Sequence, residues 1–462
     1  MFCLGGRNKV PVANKPAQLD LGFATPSGVR ETNRPRRNGE ANKLAPEDRP
    51  IHDWYRFVLS FPPHLVRDYV RQFQLTPDDR VLDPFCGTAT TLVEAKKLGV
   101  PSVGVEATPM GYLAGRTKIN WRPNPDELRA HARAVAKASQ AIFQAEGISD
   151  APDGNRWPPD LRTLEAERAS LLLKDSISPL PLHKTLTLLG VLDRQADDRF
   201  MDHARLALAK ALAGPVGNLH FGPEVGVGPA KIDASVVTPW LAGINRMASD
   251  LAEVSVRSHV TVPAQVFHAD ARDLQAVIEP RSISAVITSP PYPNEKDYSR
   301  TTRLESVLLG LVASKAELRQ VKQGLVRSNT RSVYVSDTDD AWIADHPEIQ
   351  RIAAEIEATR IALGKTSGFE RQYARVTRLY FGGMMRHLAM LRPLLRPGAR
   401  LAYVVGDQAS YLRVMIRTGQ ILADLAQSLG YELVRIDLFR TRLATATREQ
   451  LREEVVVLRW PG

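Results

Sequence analysis

Apolar and polar positions change their spacing several times along the chain, and each change marks an element. From Ile51 aromatic and apolar residues recur at helical spacing (Trp54, Phe57, Val58, then Leu65, Val66, Tyr69 and Val70), interrupted by Pro62 and Pro63. This predicts a short element, a proline turn and a helix started by Pro63, whose fixed φ suits a first helical turn. Arg80 to Asp83 reads as a buried strand, Pro84 to Thr88 as a turn, Thr90 to about Leu98 as a helix and Ser102 to Glu106 as a second strand. Strand, loop, helix and strand make one βαβ unit.

Residues 124 to 146 and long stretches between 160 and 258 carry helical periodicity, with Phe221 to Pro229 (FGPEVGVGP) as a glycine-bearing loop among them. Short β-branched runs return at Ala264 to His268 and Ala285 to Thr288. After a helical stretch from about 303 to 393 come strands at Arg400 to Val405, 431 to 438 and Val455 to Trp460, with a helix at 415 to 429. Alternating strands and helices predict an α/β fold on a mostly parallel sheet, with an antiparallel edge strand near the C-terminus.

Composition narrows the class. The 462 residues, 44% hydrophobic and 24% charged, suit a folded protein of two or three packed units rather than a disordered one. Cys3 and Cys86 are the two cysteines, so a disulfide framework and a cysteine zinc cluster are excluded, and the scattered histidines predict no metal site. No run approaches the roughly 18 apolar residues of a membrane span, and Met1 to Val10 lacks a secretory apolar stretch, so a cytoplasmic location is expected. The net charge of +10 points to a polyanionic partner, because Lys and Arg gain affinity by displacing counterions from phosphates. Residues 1–48, with Arg30, Arg34, Arg36 and Arg37 close together, read as a flexible basic tail, either a solvated linker or a loose phosphate-binding arm.

Ligands of open parallel sheets bind beyond the carboxyl ends of the strands, and three such ends carry chemistry. The first is Asp83-Pro84-Phe85-Cys86-Gly87-Thr88-Ala89-Thr90-Thr91, where small residues admit a ligand and a helix start offers free N–H groups. The second places Glu106 some twenty residues on, the distance at which a carboxylate holds both hydroxyls of a ribose. The third is Thr288-Ser289-Pro290-Pro291-Tyr292. Its two prolines fix the chain and lack N–H donors, so the Ser289 side chain and Pro290 carbonyl can point into a site as acceptors while Tyr292 offers a flat face.

The pair DPFCGTATT and TSPPY resembles the amino-methylating, site-specific DNA methyltransferases, which methylate the exocyclic amine of cytosine or adenine. Ser60-Phe61-Pro62-Pro63-His64-Leu65-Val66 and His268-Ala269-Asp270-Ala271-Arg272-Asp273 match further motifs of that family, and Gly406-Asp407-Gln408 with the strand from Glu453 to Trp460 fits the back of its sheet. The resemblance implies a Rossmann-like, S-adenosylmethionine-dependent methyltransferase sheet with helical insertions. It implies a cofactor half at 49–121, a helical insertion at 122–261, a catalytic half at 262–310, a helical segment at 311–380 and the rest of the core at 381–462, with target recognition housed either in the insertion or in the segment after SPPY.

Carried over residue by residue, it implies that Asp83, Pro84, Phe85, Cys86, Gly87, Thr88 and Thr90 line the methionine side of S-adenosyl-L-methionine, with Phe61 beside them. Glu106 would bind the ribose, and Asp270 with Ala271 would meet the adenine. Ser289, Pro290, Pro291 and Tyr292 would hold the target base. Two positions depart from the family: Ala89 stands where glycine is usual, which argues against a positive φ there, and Glu106 stands where aspartate is common.

The partners implied are double-stranded DNA and a companion restriction endonuclease. A first-position Ser leans towards cytosine N4 over adenine N6. Lys296, Arg300, Arg303, Arg327 and Arg331 are either phosphate contacts or a solvated helical face, and Thr441 to Arg448 (TRLATATR), polar and basic near the expected mouth of the site, reads as a surface turn in preference to a contact there. His52, Trp54 and Tyr55 read as core residues rather than a groove. Two rivals remain at this stage: an RNA guanine-N2 methyltransferase, whose cofactor loop is similar, and a catalytically silent fold, which only Ala89 favours.

Overall fold

The computed structural model describes residues 43–56, 60–153, 157–158, 160–222, 224–255, 259–293, 296–443 and 450–462. Most of the basic tail, Cys3, Phe57, Val58, Pro223 and the stretch 444–448 of TRLATATR lie outside the described residues. Nine strands are described: β1 Val81–Asp83, β2 Ser102–Glu106, β3 Leu219–Phe221, β4 Val225–Val227, β5 Ala264–His268, β6 Ile283–Thr288, β7 Leu395–Gly406, β8 Glu432–Leu443 and β9 Gln450–Arg459. Seven form one sheet in the order β5-β2-β1-β6-β7-β9-β8. β5, β2, β1, β6 and β7 pair in parallel, whereas β9 runs antiparallel to both β7 and β8. The antiparallel strand therefore lies inside the sheet rather than at its edge, because the β8–β9 hairpin inserts its second strand beside β7.

The central strands are short and apolar on both faces, as expected where helices cover both sides. Leu82, Val103, Val105 and Val286 face a core with the helices Tyr373–Leu391 and Thr418–Ser428. Val81, Ala285, Ile287, Ala402 and Val404 face the opposite way, towards the helix Pro63–Gln72. That helix begins at Pro63, as the proline turn predicts. The core reading of the segment before it holds too: Trp54 is buried and donates from Nε1 to Asp250 (2.7 Å), Tyr55 to Glu305 (2.7 Å), and His52 meets Glu94 at 2.7 Å.

Between β2 and β5 the chain is mainly helical. Pro125–Ala145 starts where Asn124 accepts from the N–H groups of Asp126 (2.9 Å) and Glu127 (3.2 Å), and it buries Leu128, Ala132, Val135, Ala136 and Phe143 along one stripe. Pro179–Arg194, Met201–Ala211 and Val237–Ser255 join it in a core continuous with Leu92, Val93 and Met110 beside the sheet. The FGPEVGVGP segment differs from its loop reading. β3 and β4 pair antiparallel through Phe221↔Val225, so the stretch forms a small hairpin whose strands are too short to give alternation. The stretch from 303 to 393 is not one helical run either. It breaks into Arg303–Leu308, Lys315–Gln323, Pro347–Ala362 and Tyr373–Leu391, with 3₁₀ turns at Thr330–Ser332 and Asp339–Ile343.

β1 stands between β2 and β6, and the chain leaves it towards β2 while β6 continues into the other half of the sheet. This is the switch point at which the loops beyond the strand ends diverge and leave a crevice.

Candidate functional site

A cavity of about 630 Å³ opens at that crevice. Fourteen of the fifteen residues singled out from the sequence line it: Phe61, Pro84, Phe85, Cys86, Gly87, Thr88, Thr90, Glu106, Asp270, Ala271, Ser289, Pro290, Pro291 and Tyr292. Asp83 does not reach its wall. It is wholly buried beneath the loop, where its carboxylate accepts from Thr288 Oγ1 (2.6 Å) and the Phe85 N–H (3.2 Å), tying β1 to β6. Burial raises its pKa to about 6 against the pull of these hydrogen bonds.

The loop after β1 folds by two consecutive devices. Gly87 takes φ 52°, and Ala89, the cap of the helix Thr90–Lys97, takes φ 63° and ψ 39°. The expectation that alanine would avoid a positive φ is therefore wrong here. The βαβ closure, with Ala89 wholly buried, outweighs a left-handed cost on the order of 1 kcal/mol. The turned loop aims the Gly87 N–H at Glu106 Oε2 (2.9 Å). The other carboxylate oxygen accepts from the Thr108 N–H (2.8 Å) and Oγ1 (2.5 Å). Burial nevertheless holds the Glu106 pKa above the ordinary carboxylate value. Thr88 Oγ1 is buried with no hydrogen-bond partner among the described residues, so the cavity offers an unsatisfied polar atom beside a fixed carboxylate. The Cys86 thiol is buried, which pushes its pKa well up and leaves it a poor nucleophile.

On the far side Asp270 is clamped by Arg272, whose Nη2 lies 2.6 Å from Oδ2, and Arg272 in turn reaches Asp339 at 2.5 Å. A residue missed by the sequence reading organises this wall. His387, on the helix Tyr373–Leu391, is wholly buried with Nδ1 2.8 Å from the Ala271 carbonyl and Nε2 2.7 Å from Tyr403 Oη. Its ring also meets that of Phe85 edge-on at 4.9 Å. Burial lowers its pKa to about 4, so the neutral ring donates to Ala271 and accepts from Tyr403.

The loop after β6 forms the remaining wall. Ser289 lines the cavity; its Oγ donates to the Val404 carbonyl (3.2 Å), which uses its proton, and its hydroxyl also bonds the Tyr292 side chain. Tyr292 lies against the end of β7, where a Cβ on Gly406 would come within 3.1 Å of its ring, so glycine permits that approach. Burial, with Glu453 close by, pushes its phenol pKa well up.

Several lining residues escaped the sequence reading: Tyr298, Gln408, Phe439, Arg440 and Glu453, while Thr441 to Leu443, read as the start of a surface turn, end β8 instead and bring Arg442 to the cavity. Gln408 and Glu453 belong to segments assigned to the back of the sheet; the structure puts them at the cavity instead. Among the basic residues after SPPY, Lys296 lines the cavity, whereas Arg327 is an interior residue that binds Asp337 (2.8 Å) and the Leu325 carbonyl. Arg303 likewise binds the carbonyls of Ser299 (3.0 Å) and Leu171 (3.3 Å). Neither is a solvated face.

A family model described as DNA methylase matches residues 29–110. The chain is 24% identical over 457 residues to the Type II methyltransferase M.BsoBI of Geobacillus stearothermophilus, spanning 91% of this chain and 85% of that one. It is 23% identical over 456 residues to the Type II methyltransferase M.AvaI of Nostoc sp., spanning 91% and 88%. A shorter match, 29% over 69 residues, links 15% of the chain to 13% of the Type II methyltransferase M.MjaII of Methanocaldococcus jannaschii. These similarities bear out the resemblance read from the motifs.

Proposed function

On the premise that the chain is an amino-methylating DNA methyltransferase, we propose that it methylates cytosine N4 in double-stranded DNA, using S-adenosylmethionine and a base flipped out of the duplex. The observation that carries this reading is the placement of the two motif loops. They leave the adjacent parallel strands β1 and β6 and open on one cavity, so a methyl donor and an acceptor base meet across the switch point.

The residues present fit the cofactor. A cavity of about 630 Å³ lies within the ordinary range of roughly 300–1,000 Å³ for such sites, and it offers a fixed carboxylate and the unsatisfied Thr88 hydroxyl. Bound there, S-adenosylmethionine would supply an electrophilic methyl group. Glu106 would exchange its bonds to Gly87 and Thr108 for the two ribose hydroxyls, Asp270 and Ala271 would meet the adenine, and Pro84 to Thr90 with Phe61 would enclose the methionine part.

An exocyclic base amine is a poor nucleophile while its lone pair is delocalised into the ring. Ser289 Oγ and the Pro290 carbonyl accept its two hydrogens in this reading, favouring a pyramidal nitrogen that attacks the methyl directly. Positioning supplies most of the acceleration, and Tyr292 stacks on the base. The buried Cys86 thiol has no part in a covalent step. The neutral Ser289 hydroxyl is a weaker acceptor than a carboxylate and suits the more acidic cytosine amine. A restriction endonuclease that cuts the same sequence is the partner such methylation would block.

The test is transfer of labelled methyl from S-adenosylmethionine to mixed-sequence duplex DNA or to structured RNA by the wild type and Ser289→Ala. Label in DNA alone, abolished by the substitution, is the expected outcome. Label in RNA alone, or a variant as active as the wild type, contradicts the proposal.

A further inference from the structure

The mouth of the cavity carries charges that the methyl-transfer chemistry leaves unused. Lys296, beyond the Ser289–Tyr292 loop, and Arg440 and Arg442 on β8 all line it. Arg440 is neutralised by a two-point pair with Glu453 (2.6 and 2.8 Å). Arg442 is held more loosely, 3.6 Å from Glu453 and 3.4 Å from the Gln408 side chain. Arg331, on the turn Thr330–Ser332, extends over the Phe369 ring at 5.6 Å.

Into this group reaches one carboxylate from the helical insertion. Glu224 lies just before β4 and is the sole lining residue contributed by 122–261 among those described. Its Oε2 lies 3.0 Å from Arg331 Nη1, both side chains remaining well exposed at 44% and 39%. Burial lowers the Lys296 pKa, an effect that the Glu224 carboxylate opposes and Arg442 reinforces, so Glu224 meets Arg331 directly and Lys296 through its field.

We propose that Lys296, Arg331 and Arg442 form the seat of the phosphodiester beside the flipped nucleotide, and that Glu224 occupies it in the free protein as a stand-in for that phosphate. This rests on the DNA-methylating reading above. An oxyanion already sits where a phosphate oxygen would sit, and an exposed carboxylate–arginine pair is weak enough to exchange. Swinging one side chain aside suffices. The consequence is selectivity: every duplex entering the site must displace Glu224, which lowers loose, sequence-independent binding more than binding that also seats a flipped base.

The experiment is fluorescence anisotropy of a labelled mixed-sequence duplex with the full-length protein saturated with S-adenosylhomocysteine, across a salt series. Glu224→Gln should bind several-fold more tightly and steepen the slope of log K against log salt by up to about 0.9, one additional phosphate contact. Arg331→Ala should weaken binding and flatten the slope by a similar amount. The double variant should bind more weakly than the sum of the two single effects predicts, because part of the effect of Glu224 runs through that cation. Calorimetric binding of S-adenosylhomocysteine should be unchanged in all three, which shows that the fold is intact. A Glu224→Gln protein with unaltered affinity and slope, or strictly additive variants, overturns the proposal. A wild type with no salt-dependent affinity for the duplex overturns the DNA reading itself, and the inference with it.

Discussion

The two walls of the cavity are built in opposite ways. The proposed cofactor wall comes largely from one contiguous βαβ unit, residues 81–106, with Glu106 paired to Gly87 and Thr108 and, beneath it, Asp83 tied to Thr288 and Phe85. The proposed base wall is gathered from Ser289 to Tyr292, from Gln408, from Phe439 to Arg442 and from Glu453, and it carries charge pairs such as Arg440 with Glu453. The first wall is set by local chain geometry and is preorganised without a ligand. The second depends on tertiary assembly of the C-terminal hairpin and has exchangeable partners. A site divided in this way can keep the first wall constant while the second varies.

Substitutions that act on one wall and spare the other would sharpen the contrast. The largest effect is expected at Ser289. Ser289→Ala should reduce kcat about 100-fold or more, the scale of a lost transition-state hydrogen bond, while calorimetry finds cofactor affinity unchanged. Glu106→Gln should do the reverse, weakening S-adenosylmethionine binding about 10- to 100-fold with far less effect on kcat at saturation, as steady-state kinetics would reveal. Because burial raises the Glu106 pKa, the wild-type affinity should begin to fall at a higher pH than for an ordinary carboxylate as the medium is acidified. If both substitutions changed kcat and affinity alike, the division between the walls would be lost.

Stability should follow the buried groups beneath the cofactor wall. Asp83 has a folded pKa of about 6, above its unfolded value near 3.9, so the folded state holds its proton more tightly and ionisation costs stability as pH rises through that window. Asp83→Asn, which keeps an acceptor for Thr288, should therefore be more stable than the wild type by at most about 3 kcal/mol at pH 8, with no advantage below about pH 4. Thermal melts across that range would show it. His387 has the opposite sign. Its pKa of about 4 means that the stability of the neutral ring is present above about pH 6.5 and is lost as pH falls towards 4, a dependence that His387→Gln should lack. The smallest effect is at Ala89, where Ala89→Gly should relieve the left-handed backbone and stabilise by no more than about 1 kcal/mol in denaturant titration.

Legibility in the sequence follows the same division. Ser102 to Glu106 and Ala264 to His268 match β2 and β5 end to end, because a buried parallel strand between polar loops is a local signal. Thr90–Lys97 and Pro125–Ala145 are equally local, started respectively by the loop's small residues and by the Asn124 cap. What failed was decided at a distance. Ala89 takes its φ from burial in the βαβ unit rather than from its own preference. The β3–β4 hairpin, three residues a strand, leaves no period to read, and its glycines signal a loop. His387 looks like any helical residue until the helix packs beneath Ala271 and Phe85. Phe439 and Glu453 become cavity residues only when β8 and β9 pair and bring both to the same lining as Tyr292.

The central claim is that the acceptor pair at Ser289 and Pro290 directs methyl to one particular base amine. The most direct measurement is nucleoside mass spectrometry of mixed-sequence duplex DNA after incubation with the purified protein and S-adenosylmethionine. The account predicts N4-methylcytosine, absent from DNA treated with Ser289→Ala. N6-methyladenine in its place would contradict the assignment of the base, and unmodified DNA despite measurable cofactor binding would contradict the active site as described.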